Sequence, residues 1–97
     1  MTCDQFVTAL YRANVVKFRV IAELKKLGWK DFSITLSFEE EIDDSEEINV
    51  YSAFTYTCDT NEIKEYIVPM ETFVNDNVDI FKISDIIKNY FIEVFSY

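Results

Sequence analysis

Apolar positions at Phe6, Leu10, Ala13, Val16, Val20, Leu24 and Leu27 recur every three or four residues. That spacing puts them on one face of an α-helix about seven turns long. Thr2-Cys3-Asp4-Gln5 reads as a capping box, with Thr2 as N-cap and Gln5 reaching back to it. Lys25 and Lys26 fall in the expected last turn, where the helix dipole favours cations. Gly28, the only glycine, stands where a left-handed residue would end the helix.

The period then changes to two. Phe32, Ile34, Leu36 and Phe38 alternate with Asp31, Ser33, Thr35, Ser37 and Glu39, the pattern of a half-buried strand. A second alternating run holds Ile48, Val50, Ser52, Phe54, Tyr56 and Cys58, with Asn49, Tyr51, Ala53, Thr55 and Thr57 on its other side. Asp59-Thr60-Asn61 is turn chemistry. It leads to a third strand, Ile63 to Val68, which Pro69 ends or confines to a sheet edge. Strands joined in sequence by short connections predict an antiparallel meander.

From Met70 to Lys82 the pattern fits either a short helix with Pro69 at its first position or an irregular crossing. Asn75-Asp76-Asn77 is a turn in both cases. Ser84 reads as the N-cap of a last helix, with Asp85 in its first turn. Ile86, Ile87, Tyr90, Phe91, Val94 and Phe95 form its apolar face, which Ile92 broadens beyond half the circumference. The order α-β-β-β-α predicts a single α+β domain over residues 1–97. Its long N-terminal helix and C-terminal helix pack on the same face of a three-stranded antiparallel meander sheet.

Composition supports a folded chain, since nearly half of the 97 residues are hydrophobic and supply apolar surface to bury. Charge adds a direction. The net charge is −9, but residues 1–30 hold six basic side chains against two acidic ones, while residues 31–97 hold three against sixteen. The first third is thus about +4 and the rest about −13, a strongly dipolar distribution that opposes nucleic acid and anionic lipid and favours a protein partner with a basic surface. Asp4, Arg12, Asn14, Lys17 and Arg19 interrupt the N-terminal apolar run, so it predicts neither a signal peptide nor a membrane span. Cys3 and Cys58 lie far apart and form no C-x-x-C pair, which suits two small hydrophobes in a reducing compartment. The expected location is the cytoplasm, that of a host cell if the chain is viral.

Little catalytic chemistry is on offer. With no histidine the commonest general base, metal ligand and pH switch is missing. Two cysteines cannot complete a structural zinc site, and neither a Ser-His-Asp nor a Cys-His nucleophile can be assembled. One glycine excludes a glycine-rich phosphate loop. Some carboxylate pair will lie at any chosen distance among eighteen acidic residues, so pairing alone points to no glycosidase chemistry. The expectation is a non-enzymatic chain with no cofactor and no metal site.

The feature left over is the run from Glu39 to Glu47, in which Glu39, Glu40, Glu41, Asp43, Asp44, Glu46 and Glu47 are acidic and nothing is basic. It lacks the glycine and ligand offsets of a calcium-binding loop. As a solvated hairpin loop it would keep neighbouring strands from aggregating. As a recognition surface it would present phosphate surrogates, because alternate residues of a strand stand about 6.6 Å apart. That is close to two steps of about 3.4 Å along one DNA strand. Acids at Asp59, Glu62, Glu65, Glu71, Asp76, Asp79 and Asp85 would extend the track. Phe32, Phe38, Phe54, Phe91 and Phe95 follow the sheet or helix period as core, whereas Tyr51, Tyr66, Tyr90, Tyr97 and Trp29 are the candidates for interface anchors, Tyr51 foremost.

In size, acidity and missing chemistry the chain resembles the small acidic inhibitors that phages direct against nucleic-acid-handling defence proteins, such as anti-CRISPR and anti-restriction proteins. No motif carries that resemblance, and no residue role follows from it. It implies an inhibitor that blocks a basic nucleic-acid-binding or nuclease surface by mimicking phosphate charge. The alternatives are an immunity protein or antitoxin that neutralises a basic toxin, and a structural or assembly subunit. In the last, the wide apolar face of the C-terminal helix would form a homodimer.

Overall fold

The computed structural model describes residues 2–42, 44, 48–60 and 62–95. In order they form α1 (Cys3–Lys26), β1 (Phe32–Ile42), β2 (Ile48–Cys58), β3 (Ile63–Pro69), α2 (Glu71–Val74) and α3 (Ile80–Val94). The strands make one antiparallel meander, β1-β2-β3, with β2 in the centre. This is the expected α+β arrangement, with the short α2 added between sheet and last helix.

Helix α1 is capped at both ends by the residues its sequence singles out. Thr2 accepts from the Gln5 amide while the Gln5 side chain accepts from the Thr2 amide, a complete capping box. At the other end the Gly28 amide donates to the Lys25 carbonyl and the Trp29 amide to that of Leu24. Gly28 has φ +89°. Together these form a Schellman motif. A Cβ at Gly28 would meet nothing within 4 Å, so only backbone strain opposes substitution. Gly28→Ala is therefore expected to cost about 1–2 kcal/mol, read as a drop in thermal midpoint.

The buried stripe of α1 is Ala9, Ala13, Val16, Val20 and Leu24. Phe6 and Leu27, at its two ends, are exposed, Phe6 only partly because its ring meets that of Phe38 on β1. The stripe packs with Phe54, Phe73, Met70, Ile87 and Phe91 in one core. Every ring contact between sheet and helices uses an even-numbered strand residue: Phe38 with Phe6, Phe54 with Phe73, Tyr56 with Phe91 and Phe95, and Tyr66 with Tyr90. Ser52 shares that face as a fully buried polar side chain, and its hydroxyl is satisfied by the Val68 carbonyl at 2.8 Å.

Two boundaries differ from the sequence pattern. Asp79, not Ser84, caps α3: its Oδ1 accepts from the Lys82 amide at 3.0 Å. Ser84 lies inside the helix, buried, with its hydroxyl turned back on the Ile80 carbonyl at 2.7 Å. Pro69 does not open a helix. It ends β3 opposite Tyr51, and the Met70 amide prolongs the ladder by donating to the Val50 carbonyl at 2.9 Å, so α2 begins only at Glu71. The expected turn follows, with the Asn77 amide donating to Asn75 Oδ1 and the Val78 amide to the Asn75 carbonyl.

Tyr56 sits among Phe32, Trp29, Phe91 and Phe95. Burial raises its phenol above the ordinary tyrosine value, and electrostatic interaction with Cys58 and Glu62 adds to the shift. Because the folded state holds that proton more tightly, the stability contribution is intact below pH about 10 and is lost as pH rises further. Urea midpoints measured from about pH 8 to about pH 11.5 should fall less steeply for Tyr56→Phe than for the parent chain.

Candidate functional site

With helices on its even-numbered side, the sheet leaves its odd-numbered side bare. Across that face run the rows Glu41–Asn49, Glu39–Tyr51–Pro69, Ser37–Ala53–Ile67, Thr35–Thr55–Glu65 and Ser33–Thr57–Ile63. Apart from Asn49, Tyr51 and Pro69, the residues between the charged positions are small or β-branched. Ser33 and Thr57 hydroxyls bond across the strands at 2.7 Å.

Strand β1 continues through Ile42, which draws Glu39, Glu40 and Glu41 out of the loop and into the ladder. The pleat then divides them. Glu39 and Glu41 stand on the bare face, about 6.6 Å apart as alternate strand residues. Glu40 lies on the helix side, where it lines a shallow depression with Thr2, Cys3, Phe6, Phe38 and Val50. Asp44 is exposed in the connection. Asp43, Glu46 and Glu47 lie outside the described residues.

Tyr51 is the cross-strand neighbour of Glu39 and, on its other side, of Pro69. It is half-buried, flanked by a carboxylate on one side and an apolar ring on the other. Of the other aromatic candidates, Tyr66, Tyr90 and Trp29 turn into the core against one another or against Tyr56 and Phe95. Tyr97 lies outside the described residues. Tyr51 is thus the one aromatic on the bare face among the described residues.

The other acids do not extend a single track. Glu65 shares the bare face, two strands from β1. Asp59 and Glu62 sit at the opposite end of the sheet, beside the β2–β3 turn. Asp76, Asp79 and Asp85 have internal tasks: Asp76 pairs with Arg12 at 3.1 Å, Asp79 caps α3, and Asp85 pairs with Lys88 at 3.4 Å. What remains on the bare face is Glu39, Glu41 and Glu65, and no strand residue of that face among those described is basic.

The chain matches no family model, no curated protein and no solved structure. The surface therefore stands on its own geometry. Among the described residues no three His, Cys, Asp or Glu side chains converge as a metal site, and no helix is long and apolar enough to cross a membrane. Cys3 and Cys58 are free thiols.

Ile63 and Ile67 also lie exposed on the bare face, and the sequence reading assigned them to the third strand without giving them a face. Their alternation with Lys64 and Tyr66 was a usable signal, because the residues opposite Tyr66 on the pleat had to point away from the helices. Two basic side chains of α1, Arg12 and Arg19, are less solvated than their pattern implies. Arg12 binds the end of α2, and the Arg19 guanidinium lies 4.0 Å over the Phe81 ring. The apolar breadth of α3 is mostly absorbed by the core, with Phe81 and Ile86 left exposed.

Proposed function

We propose that this chain is a non-enzymatic inhibitor that covers a basic nucleic-acid-binding or nuclease surface with its bare sheet face, in the manner of phage anti-defence proteins. The observation that carries this reading is the composition of that face. Glu39, Glu41 and Glu65 are mounted on the sheet, Tyr51 stands between strands β1 and β3, and no cation is interspersed among the described strand positions of that face. The hydrogen-bonded ladder fixes the backbone beneath these carboxylates and so sets their spacing, which lets them replace phosphates in a Lys/Arg groove. Tyr51 supplies a rigid amphipathic ring of the kind that anchors interfaces. Asp44 would add negative charge beyond the strand ends, and Glu40 would act only through its long-range field; Asp43, Glu46 and Glu47 belong to the same acidic run in sequence.

The test is competition. Basic proteins retained on a cation exchanger from the producing cell or its host are passed over the immobilised chain at low salt, with duplex DNA as competitor. DNA should displace the captured protein, and binding should weaken steeply as salt rises, because charged contacts are screened and counterions exchange. Glu39→Gln with Glu41→Gln should lower affinity at least about tenfold, one such factor being about 1.4 kcal/mol. Tyr51→Ala should cost a similar factor. Capture that is indifferent to DNA, or undiminished in the double Gln variant, would remove charge mimicry as the mechanism.

A further inference from the structure

Helix α1 has a second stripe, apolar except at its middle, where the Asn14 side chain donates to the Leu10 carbonyl at 2.9 Å. Val7, Tyr11 and Phe18 are 58%, 71% and 62% exposed, and Ala22 is exposed as well. At 3.6 residues per turn they lie about half a turn from Ala9, Ala13, Val16, Val20 and Leu24, and so point directly away from the core. Asp4 and Lys25 close the two ends of the stripe, both exposed, and neither has an ion-pair partner among the described residues.

The order Asp4, Val7, Tyr11, Phe18, Ala22, Lys25 has spacings of three, four, seven, four and three residues, which read the same from either end. A helix carrying such a stripe is complementary to itself when turned end for end. Antiparallel pairing about a two-fold axis between Asn14 and Val15 brings Val7 beside Ala22 of the second copy and Tyr11 beside its Phe18. The same pairing sets Asp4 against Lys25 at both ends. Bulky residues meet small ones, the two central rings share a layer, and unlike charges meet. A self-complementary patch of this kind is what a closed isologous dimer requires. The structure therefore assigns the outer face of α1 to a second copy of this chain, and we infer that the protein forms an antiparallel α1–α1 homodimer. The two bare sheet faces then look outward on opposite sides. This inference is independent of the proposed inhibitory role, and either can fail without the other.

Sedimentation equilibrium of the full chain, from about 1 µM to several hundred µM, should show a concentration-dependent dimer in the range of small interfaces. Tyr11→Glu and Phe18→Glu each replace an exposed side chain, so circular dichroism should be unchanged while association weakens at least tenfold. Lys25→Glu alone should weaken association by setting like charges together, and adding Asp4→Lys to it should restore the dimer. A nitroxide on the exposed Cys3, with Cys58→Ser to remove the second thiol, should report roughly 35 Å between copies, from 1.5 Å rise per residue along the paired helices. A monomer at every concentration overturns the inference. So does a dimer that ignores Phe18→Glu, or a Cys3–Cys3 distance of roughly 10 Å, which parallel helices would give.

Discussion

Arg12→Ala is expected to lower the free energy of unfolding by about 2–3 kcal/mol, a large loss for a position on the polar side of a surface helix. The cause lies in what the guanidinium touches. Its Nη1 donates to the carbonyls of Phe73, Val74 and Asn75 at 2.9, 3.3 and 3.2 Å, and Nη2 reaches Asp76 at 3.1 Å. Those carbonyls close α2 and its exit, where the helix has no partners of its own to offer them. The side chain is only 22% exposed and its bonds to Phe73 and Val74 are partly shielded from water, whereas Asp76 is 94% exposed and its ion pair contributes little. Magnitude follows from the carbonyls, since hydrogen bonds to a charged group are worth about 1.5–3 kcal/mol. Arg12→Lys should recover less than half of the loss. An ammonium is a point donor and cannot spread over three carbonyls and a carboxylate as a planar fork does. Urea midpoints of the two variants decide it. Equal midpoints for Arg12→Ala and the parent would mean that the collar on α2 is ornamental.

Arg12 also shows where sequence reasoning stops. Its place on α1 is plain from periodicity, and by that measure it belongs to a solvated basic face. Nothing local signals that Asn75 and its neighbours, more than sixty residues on, will arrive beneath it. The features that were legible are those fixed within a few residues: the Thr2–Gln5 capping box, the Gly28 stop, and the alternation that makes β1 and β2 half-buried strands. The start of α3 was not, because Asp79 and Ser84 both suit an N-cap. Only tertiary packing chooses, by burying Ser84 against the core. The candidate site was half legible. Tyr51 and the 39–41 carboxylates could be named from sequence, but which of them share a face depends on how far β1 extends. Continuing the strand through Ile42 sends Glu40 to the opposite side from Glu39 and Glu41. Acids scattered through 59–85 looked equivalent in sequence and are not: three of them are engaged in capping or pairing, and one, Glu65, joins the bare face.

Phe73→Ala should cost more than any change at Arg12, about 3–5 kcal/mol, because it empties a fully buried ring site in the layer between α1 and the sheet. Phe73 is the buried residue of α2 and its ring lies 6.3 Å from that of Phe54 on the central strand. Four residues cannot hold a helix by propensity, since the first turn fixes several residues for one hydrogen bond. Helix α2 therefore exists because Phe73 pins it from inside and Arg12 from its end. Two pins on one short element should couple: the Arg12→Ala, Phe73→Ala double variant is expected to lose less than the sum of the single losses, by at least about 0.5 kcal/mol. Additivity within that margin would show that the two residues act on separate parts of the fold. The consequence reaches the bare face through the chain itself. Pro69, beside Tyr51, is followed at once by Met70, whose amide bonds the Val50 carbonyl before α2 begins. Hydrogen exchange at the Met70 amide should quicken in both single variants before global unfolding does, since that bond is the hinge between α2 and the sheet. A partner that binds through Tyr51 and Glu39 should slow the same exchange.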